Sequence, residues 1–249
     1  MKTVFADGRL TSDIEAALNR LGYDVLRLPP FPALAPQTAS HPDMLLFAVP
    51  QILSQDGKII SGGEIFCHEK FLGIASEQFL RAESLGYEII PTMQPISEKY
   101  PGDILFNCAL VGKKLIANAK FTSKKVLAWA SQAGVEVVNV KQGYAKCSVC
   151  IVSENAIITA DNGIAAAAHA AGISVLHLPG AGAILCGYDR GFIGGASGND
   201  GETLFFTGSL SSLGKDYASQ VQAFCEKYSK KAVSLSDAPL YDFGSLIFI

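Results

Sequence analysis

The sequence predicts an α/β protein: five ββαβ units closed into a ring with pseudo-fivefold symmetry. Three observations predict it. A glycine followed by a β-branched or apolar run recurs at Leu21-Gly22-Tyr23, Leu85-Gly86-Tyr87, Ala133-Gly134-Val135 and Ala171-Gly172-Ile173. Glycine suits the left-handed residue that closes a helix, so each copy reads as a helix stop followed by a strand. A second apolar run, ending in small or polar residues, starts at Val4, Ile59, Leu115, Ile157 and Leu204. These starts are 55, 56, 42 and 47 residues apart, and the distance from the fifth round the chain ends to the first is 49. A period of this size means units that bury their apolar faces against one another, and the matching wrap-around interval is that of a closed ring.

The elements follow in order. The second runs are 4–9, 59–64, 115–120, 157–162 and 204–209. The first runs are 42–47, 102–106, 146–152, the Gly-rich 190–195, and 242–249. The N-terminus lacks a first run, so residues 242–249 complete the unit that residues 1–30 begin. Both termini then share one blade and leave no free sheet edge. Helices are expected over 11–21, 71–85, 123–133, 162–171 and 213–228, where apolar residues fall at helical spacing or alanine dominates. Asp161-Asn162-Gly163 reads as an N-cap and Asp56-Gly57 as a hairpin turn. The glycines of 180–201 read either as a backbone-lined loop near a ligand or as a bulged strand and hairpin turn. Residues 1–249 are read as a single domain.

Composition narrows the function classes. Hydrophobic residues make up 49% of the 249 positions, and the net charge is −3 without a long basic run. Bulk-charge binding to nucleic acid or to an anionic membrane is not expected. No apolar stretch approaches the roughly 20 residues of a membrane span. Asp7 interrupts the N-terminus too early for a secretory leader. Six cysteines in such a chain read as reduced thiols in the cytoplasm. No Walker, zinc-protease or serine-hydrolase motif is present, and no cofactor or metal is expected.

Individual residues carry weaker signals. Cys147 and Cys150 form a lone Cys-x-x-Cys in an expected strand, where residues three apart point to opposite faces, against a shared metal. Cys147 alone follows Lys146, a cation that would lower its pKa, and is the candidate nucleophile. Asp7, Asp43, Glu64, Asp103, Asp161, Asp189 and Asp242 lie at the starts or ends of expected central strands, where a ring brings such ends to its axis. Arg9, Asn162 and Arg190 join this polar set. Many of these acids also read as plain turn or cap residues. His41, His68, His169 and His177 show no ligand spacing.

Five closed ββαβ units in a chain of this length resemble the pentein fold, the five-bladed β/α-propeller of arginine deiminases, dimethylarginine dimethylaminohydrolases and amidinotransferases. The noncatalytic translation initiation factor six proteins are similar in architecture. The stretch Gln142-Gly143-Tyr144-Ala145-Lys146-Cys147-Ser148-Val149-Cys150 looks like that of an uncharacterised bacterial family described only as guanidine-modifying-enzyme-like. The resemblance implies a small guanidino, amidino or amino-acid-like ligand in a polar axial pocket, gripped by the acids. It also implies a cysteine on the last strand and a histidine in a His-x-Lys-Ser-like setting. This chain departs on both counts. Residues 242–249 hold no cysteine and one hydroxyl, Ser245, and Tyr144 stands at the histidine position. The expectation is a pentein-like ligand binder, a divergent hydrolase if catalytic. The alternative is a noncatalytic interaction module.

Overall fold

The computed structural model describes residues 2–54 and 58–249. Asp56-Gly57 lies outside the described residues. Five three-stranded sheets are arranged as blades, each with an antiparallel inner pair and a parallel outer pair. The second blade joins Leu46–Ala48, Glu64–His68 and Glu88–Thr92. The third joins Ala109–Val111, Lys114–Ala117 and Glu136–Asn139. The fourth joins Val149–Ser153, Ala156–Thr159 and Ser174–His177. The fifth joins Ser197–Asn199, Thr203–Phe206 and Lys231–Ser234.

The first blade closes the ring. Lys2–Asp7 pairs in parallel with Tyr23–Leu28 and antiparallel with Ile247–Phe248, in the register Val4 opposite Phe248. The join is reinforced by aromatic packing. Phe248 lies 5.0 Å from Tyr23 and 5.3 Å from Phe205 of the fifth blade, centroid to centroid. Asp200 accepts from Tyr23 Oη at 2.5 Å and from Lys2 Nζ at 2.9 Å.

A helix connects the parallel strands of each blade: Ser12–Arg20, the pair Glu69–Ile74 and Ser76–Ser84, Lys124–Gln132, Asn162–Ala170 and Lys215–Lys227. Gly22, Gly86, Gly134 and Gly172 all have positive φ, which is why the first four of these connections stop there; after Lys215–Lys227 it is Ser229, at +55°, that turns the chain. The helices bury one face against the sheets, through Ile14 and Leu18, Phe71 and Phe79, Val126 and Ala130, and Ile164 and Ala168.

The second unit differs from the sequence reading. Its central strand is Glu64–His68, and Ile59–Ser61 instead pairs with Ile52–Leu53 in a separate two-stranded hairpin. In register, Glu64 therefore matches Thr3, near the opposite end of the strand from Asp7. The first runs also divide into two parts. In each blade a turn carrying the polar residues comes first and the short strand follows.

Candidate functional site

Five turns, one ahead of each blade's first strand, meet at the axis and are linked in a closed ring of hydrogen bonds. Asp43 N donates to Gly244 O at 3.0 Å. Asn107 Nδ2 donates to Asp43 O at 3.1 Å, while Asn107 Oδ1 accepts from Lys146 N at 2.8 Å. Gly195 N donates to Cys147 O at 2.9 Å, and Ser245 N donates to Gly195 O at 2.7 Å. This circuit passes through all five blades. It works because two of the turns carry glycine. A Cβ at Gly194 would stand 2.5 Å from the carbonyl oxygens of Lys146, Cys147 and Val149. A Cβ at Gly244, where φ is +67°, would strike His41 at 2.2 Å.

Against this ring lies a cluster of buried polar side chains. Asp7, the last residue of its strand, is 0% exposed, and His41, Asp43 and Asp242 are each 1% exposed. His41 Nε2 lies 3.6 Å from Asp7 Oδ2, and its Nδ1 lies 4.0 Å from Asp242 Oδ1. Asp242 accepts from Phe192 N at 2.8 Å and Gly244 N at 2.9 Å. Burial, with the Asp43 charge nearby, pushes its pKa up to about 6, although His41 opposes this. Asp43 Oδ2 accepts from Ser245 Oγ at 2.8 Å, and Ser245 Oγ accepts from Lys146 Nζ at 2.8 Å. His41 Nε2, Asp43 Oδ1 and Asp103 Oδ1 are buried without a hydrogen-bond partner. Buried polar groups are ordinarily satisfied, so the two such atoms within the cluster, His41 Nε2 and Asp43 Oδ1, identify unmet hydrogen-bonding capacity.

Arg9 sits at the rim. Its guanidinium forks onto Asp7, with Nε–Oδ1 at 2.9 Å and Nη2–Oδ2 at 2.6 Å, and donates to the carbonyls of Pro36 and Gln37. The Pro-rich segment is thereby held beside the axis. A cleft of about 320 Å³, lined by Gly8, Arg9, Arg27 and Ser40 among others, opens there. On the far side Tyr144 donates to Asp103 at 2.7 Å and stacks 6.0 Å from Phe192. Burial pushes the Asp103 carboxyl up despite that hydrogen bond. Tyr144, Lys146 and Phe192 are half-buried.

Of the residues singled out in the sequence, the fold brings together Asp7, Arg9, Asp43, Asp103, Lys146, Cys147 and Asp242. It leaves out Glu64, at the wrong end of its strand. Asp161 caps its helix by accepting from Ile164 N at 2.7 Å, and Asn162 is exposed at that helix's first position. Asp189 and Arg190 are exposed on the 180–191 loop. Cys147 needs a further correction. It lies in the helical turn Ala145–Ser148, not in a strand. Its thiol is buried and accepts from Asn107 Nδ2 at 2.9 Å. Burial, followed by the charges of Asp43 and Asp242, drives its pKa well up against the Asn107 hydrogen bond, and the Lys146 ammonium is engaged by Ser245 instead.

Sequence reasoning missed His41 and Asn107. The signal for His41 was its place just before Pro42-Asp43, in the turn that leads into a first strand.

Solved structures with this fold include guanidine-modifying enzymes. The Pseudomonas aeruginosa dimethylarginine dimethylaminohydrolase complexed with citrulline matches with a TM-score of 0.53 at 12% identity, over 94% of this chain and 92% of that one. The N-terminal domain of the cyanobacterial arginine dihydrolase ArgZ, bound to substrate, matches with a TM-score of 0.54 at 12% identity, over 99% and 95%. The Campylobacter jejuni agmatine deiminase matches at 0.51 and 9% identity, over 94% and 75%. Against the longer ArgZ chain the match spans 36% of its length. The architecture is the pentein propeller. No curated protein matches the sequence. A model described as a family of unknown function matches residues 5–247.

Proposed function

The chain belongs to the family of unknown function DUF6873, and from that premise we propose that its axial cluster binds a small guanidino, amidino or amino-acid-like cation. One observation carries the reading. Asp7, Asp43 and Asp242 are buried together, and Asp43 Oδ1 has no partner. Buried carboxylates without compensation are costly, and a ligand cation donating several N–H groups would supply both charge and hydrogen bonds. The clasp of Arg9 by Asp7 demonstrates within the chain that a carboxylate here accepts a guanidinium side-on. Structural relatives complexed with citrulline or with the substrate of an arginine dihydrolase support the ligand class. Cys147 is given no attacking role, because a buried neutral thiol is a poor nucleophile.

The test is a thermal-shift panel of arginine, agmatine, methylated arginines, citrulline and simple amines. One cationic class should raise Tm saturably, because a ligand at 100 times its Kd contributes about 2.7 kcal/mol. Asp43→Asn should abolish that rise. No shift across the panel overturns the reading.

A second reading, a noncatalytic interaction module, is favoured by the two-stranded hairpin outside the blades. There Ile52 is 59% and Ile60 66% exposed. A pull-down that retains a partner with the natural chain and loses it with Ile52→Ser/Ile60→Ser would favour this module.

A further inference from the structure

The axial cluster is sealed, and its cover differs from side to side. Over Asp242 the cover is backbone. A Cβ at Gly195 would stand 2.0 Å from Asp242 Oδ1, and one at Gly191 would stand 2.5 Å from Asp242 Cβ. That backbone is pinned, since Gly195 O accepts from Ser245 N and Phe192 N donates to Asp242 Oδ2. Over Asp7 the cover is a single side chain. Among the described residues, every hydrogen bond to the Asp7 carboxylate comes from Arg9. Oδ1 accepts from the Arg9 backbone N at 2.7 Å and its Nε at 2.9 Å, and Oδ2 accepts from its Nη2 at 2.6 Å. The Asp7 side chain is 0% exposed and that of Arg9 is 46% exposed. Arg9 therefore stands between the buried acid and water. A half-exposed side chain moves far more readily than a hydrogen-bonded turn, so the cover yields on this side. Arg9 also walls the cleft of about 320 Å³, where Leu28, Pro29, Pro30 and Pro36 supply apolar surface. Such a wall suits an aliphatic stem, with a cationic head at the Arg9 end.

We propose that this cleft is the entry to the axial site and that Arg9 is its resident occupant: an incoming alkylguanidinium lays its stem in the cleft and takes the Asp7 carboxylate from Arg9. The proposal rests on the cation reading and deepens it, naming the route in and the form of the ligand. The step is an exchange of partners. One ion pair breaks as a like one forms, so the buried carboxylate is never left bare, which is the costly state. The displaced Arg9 guanidinium turns outward into solvent. The affinity of the natural chain is then the intrinsic affinity of Asp7 reduced by the fraction of time that Arg9 holds it. An alkylammonium exchanges poorly, because it cannot repeat the two parallel N–H···O bonds of the fork.

The experiment uses the full chain with isotope-labelled arginine and n-butylguanidinium as the probe. The Arg9 Nε–H resonance is identified by its loss in Arg9→Lys. Saturating probe should shift that resonance and speed its exchange with water, while the resonance of Arg81, held by Asp24, stays in place. n-Butylammonium at the same concentration should move neither. Arg9→Met keeps a stem and removes the competitor, so by calorimetry it should bind the probe about tenfold more tightly than the natural chain. Arg9→Met/Asp7→Asn should lose that gain. Arg9→Lys, which cannot fork, should change affinity in the same direction and serves if Arg9→Met fails to fold. A Tm rise with the probe while the Arg9 resonance stays fixed overturns the exchange and keeps the cation reading. Affinity unchanged or weakened in both Arg9 variants overturns it too, as does binding in the variants alone, which means that Arg9 never yields. No binding to the natural chain or to any variant removes both ideas.

Discussion

The side-chain amide of Asn107 donates to the Sγ of Cys147 across 2.9 Å, joining two blades at the axis. The same amide reaches Asp43 O, and its carbonyl oxygen takes the N–H of Lys146. Cys147 is thus a packing and hydrogen-bonding member of the ring, not a free thiol at its centre.

Thiol reactivity should follow. Cys186 is exposed, whereas Cys67, Cys108, Cys147, Cys150 and Cys225 are buried. Burial raises Cys67 and Cys150 to about 12 and Cys225 to about 11. In a chromogenic disulfide assay at pH 7.5, one thiol per chain should react quickly, with the other five appearing only in denaturant. Rapid native labelling of Cys147 would contradict the arrangement.

The glycines at the axis should be unequal to those elsewhere. Gly194→Ala forces a Cβ against three backbone oxygens and should cost about 3 kcal/mol in urea unfolding. Gly73, in the helix Glu69–Ile74, has nothing within 4 Å of an added Cβ. Gly73→Ala should be stabilising by up to about 1 kcal/mol through helix propensity. Equal effects would mean the turns are not packed as described.

Asp242 should give stability a recognisable pH signature. Its folded pKa, about 6, lies above the roughly 3.9 of an unfolded aspartate. The folded state therefore holds a proton that the unfolded state releases. Its contribution is fully present below about pH 4 and is lost as pH rises through about 6. Asp242→Asn cannot titrate and cannot accept from both Phe192 N and Gly244 N. The variant should be less stable at pH 4.5, and the gap to the natural chain should narrow by pH 7.5. The groups around Asp242, His41 and Asp43, remain in both proteins. A gap independent of pH would refute this account of the carboxyl.

How legible this was depends on the range of the interactions involved. Helix stops at Gly22, Gly86, Gly134 and Gly172 are local, since the backbone conformation they permit is set within a few residues. They were therefore readable. The second unit was misaligned because Ile59-Ile60-Ser61-Gly62 imitates an apolar run that ends in small residues. The true strand, Ile65-Phe66-Cys67-His68, ends in histidine where the first ends in aspartate. Asp7, Asp43 and Asp242 were visible as polar residues interrupting apolar runs. His41 was not, because its neighbours Asp7 and Asp242 come from the two ends of the chain. Lys146 was read against Cys147, its neighbour in sequence, while its ammonium engages Ser245, 99 residues away. No periodicity encodes such a pairing.

The closing of the first blade by Ile247–Phe248 also sets an order of events during synthesis. Lys2–Asp7 is made before every other strand of the ring, yet one of its edges waits for a strand made after every other blade. Until then that edge presents unpaired backbone groups to whatever is near. Asp242 and Ser245 arrive in the same final stretch. A nascent chain therefore carries four complete blades and an incomplete first blade before the axial cluster is assembled. The axial cluster is complete only once the strand that closes the ring has been made.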